Sequence, residues 1–192
     1  MSADPDVRKR ILRAELRERR QVMSDLERGH ATEGFTARLQ ELVGTTGAES
    51  LSCYLSLPTE PNTRPFVNWA EARGIRVLFP ITREDGLLDW TVGEEQTESV
   101  GMHGVPHAHG ELLGPMAIND VDLILVPAAA IDRTGMRLGW GRGYFDKTLG
   151  SMGKCPPVYA VVFDAEFVES VPRERHDQAV NGVVTPTRII AF

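Results

Sequence analysis

The sequence has no run of about 18 consecutive apolar residues, the length that crosses a bilayer core, so a place in a membrane is not expected. It also opens without the apolar block of a secretory leader, because charged residues recur through the first thirty positions. Cysteine is nearly missing. Cys53 and Cys155 stand far apart with no C-x-x-C spacing, which removes a disulfide framework and a thiolate zinc site and favours a reducing, cytoplasmic setting. Positive charge is in deficit. With 21 Lys and Arg against 27 Asp and Glu, the net charge of −6 opposes general attraction to nucleic acid, so an anionic ligand must find a local basic patch. No repeat or linker divides the 192 residues, and 42% apolar content suffices for one continuous core, so residues 1–192 read as a single α/β domain. A monomer or weakly associating homo-oligomer is expected.

A basic patch lies between Arg8 and Arg20, where Lys9, Arg13, Arg17 and Arg20 share a helix face and Val7, Ile11, Leu12 and Leu16 recur as an apolar one. The plain interpretation of the basic side is a solvated surface. Ser24-Asp-Leu-Glu27 has the form of a capping box that starts a second helix, expected to run to Val43 and stop at Gly44. Leu51 to Leu55 then reads as a strand, Arg64 to Arg73 as a helix closed by Gly74, and Ile75 to Phe79 as a strand halted by Pro80. Strands separated by helices imply a parallel sheet whose functional loops follow the carboxyl ends of its strands, and Glu60 falls just past such an end. Leu87 to Val92 predicts another strand, whereas polar Gly93 to Asp120 predicts a long surface excursion. Val121 to Val126 is the strongest strand signal. A turn at Asp132–Gly135, a helix over 142–149, a strand over 158–163 and a tail strand over 188–192 complete the pattern.

Chemistry concentrates in Arg137-Leu-Gly-Trp-Gly-Arg-Gly-Tyr-Phe-Asp146. Gly139, Gly141 and Gly143 lack Cβ atoms and so let backbone N–H groups approach phosphate oxygens, and the following helix N-terminus adds favourable partial charge. Arg137 and Arg142 would contribute formal positive charge, and Asp146 a carboxylate for a magnesium ion bridging phosphates. The run matches neither G-x-x-x-x-G-K-[ST] nor a full G-x-G-x-x-G, so a glycine-rich turn without a ligand stays open. His103, His107 and His109 have the spacing H-x-x-x-H-x-H, but a glycine-rich loop cannot fix three convergent ligands, and exposed histidines are expected there. Trp69 and Trp90 read as packing residues, and Cys53 as a small buried hydrophobe.

The segments VPAAAID, Gly135 and RLGWGRGYFD, within Leu123 to Leu149, resemble the signature block of the 5-formyltetrahydrofolate cyclo-ligase family. Weaker likeness extends over nearly the whole chain: Lys9 and Arg13 in the basic opening, Tyr54-Leu-Ser-Leu-Pro-Thr-Glu60, and His176-Asp177 through Val183-Val-Thr-Pro186. The resemblance implies a three-layer Rossmann-like fold, similar to the coenzyme A transferase-like fold. It also implies ATP- and magnesium-dependent conversion of 5-formyltetrahydrofolate to 5,10-methenyltetrahydrofolate. By the same resemblance Lys9 and Arg13 meet ATP phosphates, Arg137, Leu138, Gly139, Trp140, Gly141, Arg142, Gly143, Tyr144 and Phe145 wrap the nucleotide, and Asp146 holds magnesium with Asn181 near it. Leu55, Glu60, Trp140, Gly141, Arg142, Gly143 and Tyr144 would touch the folate, with Arg137, Tyr144 and Lys9 closest to the reaction. Phe145 stands where the family usually has Tyr, Asn181 where many members have Asp, and His107-Ala108 where an acidic or amide residue and Pro are usual. Two rival expectations follow: a same-fold ATP enzyme for another formyl or amide substrate, or a non-catalytic folate- or nucleotide-binding regulator.

Overall fold

The fold is described here from a computed structural model covering residues 4–101, 104–153, 155–174 and 177–192, with all their side chains but those of 94–98. Two long helices come first. Helix α1 (Pro5–Gln21) starts where Asp4 accepts from the Asp6 N–H at 3.1 Å, with proline in its first turn. Helix α2 (Asp25–Thr46) begins at the expected capping box: Glu27 N–H donates to Ser24 Oγ at 3.2 Å and Ser24 N–H donates to Glu27 Oε2 at 2.8 Å. The helix does not stop at Gly44. It runs to Thr46 and ends on Gly47 at φ 66°, because a mid-helix glycine costs only about 1 kcal/mol while the left-handed cap favours glycine strongly.

The remaining elements are β1 (Ser50–Ser52), α3 (Arg64–Glu71), β2 (Arg76–Thr82), β3 (Leu88–Val100), β4 (Pro106–Leu113), β5 (Leu123–Pro127), β6 (Ala130–Asp132), β7 (Arg137–Leu138), α4 (Tyr144–Ser151), β8 (Val158–Val161), β9 (Phe167–Val168), β10 (Gly182–Val184) and β11 (Ile189–Ala191). Eight strands form one sheet in the order β11-β10-β8-β5-β1-β2-β3-β4. Its centre, from β10 to β2, is parallel. Both margins are antiparallel, through β11 and through the β3-β4 hairpin. Strands β7, β6 and β9 make a smaller sheet.

Central strand β5 explains why both faces must be covered. Leu123 and Leu125 enter one apolar cluster with Phe35 and Leu39 of α2 and Phe66 of α3, while Ile124 and Val126 enter another with Trp90, Ile118 and Leu149. The result is the expected α/β domain with a mainly parallel sheet flanked by helices. Cys53 is 1% exposed within the first cluster, and Trp69 stacks on Phe66 with ring centroids 5.9 Å apart.

Two expectations fail here for local reasons. Residues 93–120 are no surface excursion: most of them belong to β3, β4 and a short 3-10 helix at Pro115–Asp120. Gly93 and Gly110 face each other in this hairpin, and a Cβ on either would fall 2.0 Å from a carbonyl oxygen across the pair. A ribbon polar on both sides carries no alternating apolar signal, so it reads as loop. Strand β2 also continues through Pro80, because β1 pairs only with Arg76 to Leu78 and requires no N–H from residue 80.

Candidate active site

A cavity of about 390 Å³ opens at the carboxyl edge of the parallel strands. Leu55 and Glu60 reach it from the loop after β1, Pro80 and Thr82 from the end of β2, and Pro127 from the end of β5. Facing them are Arg137, Gly139, Trp140 and Arg142 to Asp146, with Arg17 and Arg20 of α1 along a third side. Ligands of open α/β sheets bind at this edge because the connecting loops converge there.

The glycine run is shaped by close approaches. Gly141 has φ 95°, and a Cβ on it would lie 3.3 Å from the Arg13 guanidinium. Arg13 donates from Nε to the Gly139 carbonyl at 2.7 Å, which ties α1 to the loop. Gly143 at φ 70° caps α4, whose first residue, Tyr144, lies two beyond the expected start at Arg142. Arg137, 6% exposed, pairs with Asp146 in the first turn of α4. Burial pulls its guanidinium below the usual arginine value, and the charges of Asp146 and Asp177 oppose that shift. Leu138 lies beneath the loop in a small apolar cluster with Leu16. Tyr144 and Phe145 line the cavity half-buried.

Helix α1 buries only the second half of its apolar pattern, Leu12 and Leu16, together with part of its basic stripe. Val7 and Ile11 are 38% and 59% exposed, whereas Lys9, Leu16 and Arg20 are buried. The basic stripe is therefore solvated only in part: Arg17 is exposed, while Lys9 and Arg20 are buried against carboxylates. Lys9 Nζ donates to Glu174 Oε2 at 2.7 Å and to Asp177 Oδ2 at 2.8 Å. Burial alone would lower the Lys9 pKa, but hydrogen bonds and charge from Asp177 and Glu174 outweigh it and hold the ammonium above its usual value. Arg20 donates to both Glu166 oxygens, at 2.6 and 2.7 Å, and to the Ala128 carbonyl at 2.8 Å. Burial pushes the Glu166 carboxyl up despite that partner. Arg20 also lies over the Trp140 ring, 4.8 Å from its centroid, with Arg17 at 5.5 Å.

Three buried N–H donors of cavity-lining residues have no partner among the described residues: Arg20 NH1, Arg137 Nε and Trp140 Nε1. A buried unsatisfied donor costs about 1–3 kcal/mol. On the strand side, Glu60 Oε2 accepts from the Leu57 N–H at 2.8 Å, and burial raises the carboxyl above its usual range. Leu55 is 4% exposed beside it.

Arg137 and Asp146 line one end of the cavity and Leu55 and Glu60 the other, whereas Lys9 and Arg13 are not among its lining residues: Lys9 bonds Glu174 and Asp177, Arg13 bonds the Gly139 carbonyl, and Asn181 lies elsewhere. Asn181 precedes β10 at the amino edge of the sheet, where its Oδ1 accepts from the Val158 N–H at 2.9 Å and so stitches two strands together. Glu174 and Glu166 escaped the sequence reading, Arg20 entered it only as part of the basic helix face, and Asp177 only within the C-terminal motif. Of the histidines, His103 lies outside the described residues, and His107 is half-buried on β4, with Thr82 N–H donating to its Nε2 at 3.1 Å. Among the described residues no cluster of three His, Cys, Asp or Glu is placed to hold a metal.

A glycine loop and arginines lining a cleft at the carboxyl edge of a parallel sheet define an α/β protein with a ligand-sized cavity. The chain belongs to the 5-formyltetrahydrofolate cyclo-ligase family, ATP-dependent ligases of folate one-carbon metabolism, whose family model matches residues 5–186. It is 32% identical over 189 residues to a 5-formyltetrahydrofolate cyclo-ligase of Mycolicibacterium smegmatis, covering 96% of both chains. The Escherichia coli cyclo-ligase is 26% identical over 179 residues, 91% of this chain and 98% of the relative. Among solved structures, the 5,10-methenyltetrahydrofolate synthetase of Aquifex aeolicus superposes with TM-score 0.78 at 25% identity, covering 95% of this chain and 92% of that one. The Mycoplasma pneumoniae synthetase shares the fold at TM-score 0.73 and 17% identity, covering 93% of this chain and 98% of that one.

Proposed function

We propose that the chain converts 5-formyltetrahydrofolate and ATP to 5,10-methenyltetrahydrofolate, ADP and phosphate, as one catalytic domain over residues 1–192. The observation that carries this reading is one cavity lined on one side by Leu55 and Glu60 and on the other by Gly139, Trp140 and Arg142 to Asp146. An N-formyl oxygen is a poor leaving group. Transfer of the γ-phosphoryl from ATP to that oxygen makes it a good one, nitrogen-10 attacks the activated carbon, and the C–O bond breaks to release phosphate while nitrogen-10 gives up its proton. The protein's part is positioning and charge neutralisation.

Arg137, Lys9 and Arg13 supply positive charge at the phosphate end, with Tyr144 closing the cavity beside them. Lys9 and Arg137 are held by carboxylates, so phosphate oxygens bind by sharing or replacing Glu174, Asp177 and Asp146 as partners. Glu60 suits the pterin ring, since a carboxylate accepts parallel bonds from neighbouring N–H groups. The donor set also fits magnesium: Asp146 and Asp177 both act on the charge of Arg137, giving hard oxygen ligands beside the phosphate end. Two carboxylates would leave most of a magnesium shell to phosphate oxygens and water, as is usual for this ion. Bound there, the ion would screen phosphate charge.

We place the protein in the cytoplasm, as a monomer or weak homo-oligomer acting on a small molecule. No helix among the described residues is long and apolar enough to cross a membrane. The test is growth of methenyltetrahydrofolate absorbance on mixing protein, 5-formyltetrahydrofolate, magnesium and ATP. Folate binding without product would instead make the chain a regulator, and phosphate release only with another formyl or amide compound would change the substrate.

A further inference from the structure

Trp140 stands between Gly139 and Gly141, so neither chain neighbour brings a side chain to brace its indole. The ring is nevertheless half-buried on the wall of the cavity, packed against the small apolar cluster of Leu16, Leu138 and Val171. The rest of its support comes from α1. Arg13, Arg17 and Arg20 recur about one turn apart on one face of that helix, and all three meet the glycine run. Arg13 does so through the Gly139 carbonyl at 2.7 Å, Arg17 and Arg20 through the Trp140 ring, 5.5 and 4.8 Å from its centroid.

The two cations over the ring differ. Arg17 is exposed, whereas Arg20 is 2% exposed and its guanidinium is clamped. Nε and NH2 of Arg20 donate to the two oxygens of Glu166, and NH2 donates also to the Ala128 carbonyl. Glu166 is fixed in turn, because its Oε2 accepts from the Phe163 N–H at 2.9 Å within a 3-10 turn at Asp164–Glu166. The Phe163 ring is a second aromatic contact of Arg20, 5.3 Å from the guanidinium carbon. A forked, planar guanidinium bonded in this way shows its neighbours a face of set orientation, which a single ammonium cannot do.

Place along the cavity indicates which ligand the ring serves. Arg20 lines the cavity with Tyr54, Leu55 and Glu60. Burial raises the Glu60 carboxyl, and the charge of Arg20 opposes that rise together with the Leu57 N–H, whereas Arg137 answers to Asp146 and Asp177 at the phosphate end. A fused flat ring is gripped by a carboxylate on its N–H edge and an aromatic surface on its face. We propose that Arg20, braced by Glu166, is a positioning residue that fixes the Trp140 indole as a wall for the pterin, so that the wall is ordered before substrate arrives. The proposal rests on the cyclo-ligase reading of the cavity.

The test labels the protein with 5-fluorotryptophan, so that fluorine resonances report Trp69, Trp90 and Trp140 separately, with Trp140→Phe assigning the third. KM and kcat for 5-formyltetrahydrofolate and ATP are measured beside them. Arg20→Lys keeps the charge but loses the fork. The double variant Arg20→Met with Glu166→Gln removes both buried charges, so stability is largely kept while the indole is released. Both variants should raise the folate KM about tenfold, the scale of one buried cation–π contact, and hold kcat and the ATP KM within about twofold. Only the Trp140 resonance should move, toward the position of free fluorotryptophan. A double variant with the wild-type folate KM, both KM values rising in step, or all three resonances moving together overturns the positioning role. The wild type decides the matter even where a variant fails to fold. Its Trp140 resonance should be single and displaced from the free position before any ligand is added, and should move when 5-formyltetrahydrofolate is added without ATP. A resonance at the free position, or one indifferent to the folate, overturns the proposal. Wild-type protein that makes no product, with the Trp140 resonance still answering to the folate, would overturn the reaction and leave the role of Arg20 standing.

Discussion

Replacing Glu166 by Gln keeps the shape of the side chain and an oxygen for the Phe163 N–H that it accepts at 2.9 Å, but removes the charge opposite Arg20. Side-chain exposures of 2% and 5% leave neither partner access to water. Breaking such a pair from one side costs about 3–5 kcal/mol, because the remaining charge stays buried without compensation. In a chain of this size each kcal/mol moves Tm by about 2–4 °C, so Glu166→Gln should melt roughly 10 °C below wild type. Adding Arg20→Met removes the stranded charge. The double variant should recover much of the loss, short of the bond to the Ala128 carbonyl and the contact with Trp140. Thermal and urea unfolding of wild type, both single variants and the double variant form a double-mutant cycle. A single variant melting within 2 °C of wild type, or a double variant no more stable than Glu166→Gln, would refute the idea that charge pairing docks α1.

The other expectations concern the cleft and the hairpin. Arg137→Ala removes a buried cation from the phosphate end, and loss of a charge-assisted bond of about 1.5–3 kcal/mol should weaken ATP use tenfold or more; unchanged ATP kinetics in a folded variant would assign Arg137 to structure. Glu60→Gln exchanges an acceptor for a donor and should raise the folate KM more than the ATP KM, an ordering whose reversal moves Glu60 out of the folate pocket. Asp146→Asn should raise the magnesium needed for half-maximal rate, whereas Asn181→Ala should leave that titration alone and lower Tm by orphaning the Val158 N–H; a magnesium shift in Asn181→Ala would refute this. Burial lowers the His107 pKa below its usual 6.5, so its contribution to stability is complete above that value and is lost as pH falls through the folded-state pKa. His107→Gln should flatten the acid side of the stability profile, and an unaltered slope would remove His107 as its source.

Legibility in the sequence followed the strength of local signals. Val121 to Val126 announced a central strand because burial on both faces leaves an unbroken apolar run, and the Ser24 capping box started α2 where it should. The glycine run stood out by composition, and the cavity is built around it. The β3-β4 hairpin was hidden because its two faces carry similar polarity. Helix α1 misled for a different reason: a charged stripe is buried only when distant carboxylates are there to receive it, and nothing near residue 20 announces Glu166. Asn181 is the reverse case, a residue matched to a site by motif whose side chain serves the opposite edge of the sheet.

The link from Lys9 to Asp177 spans 168 positions, that from Arg20 to Glu166 spans 146, and that from Arg13 to Gly139 spans 126. A chain emerging from the ribosome therefore carries α1 for most of its synthesis with its cations unmatched. Before residue 177 has been made, docking that helix would bury Lys9 with its salt bridges incomplete, so α1 stays loose while the strands assemble, and contacts of such separation form slowly. The wall of the cleft made earliest thus completes its ion pairs only when nearly the whole chain has been made.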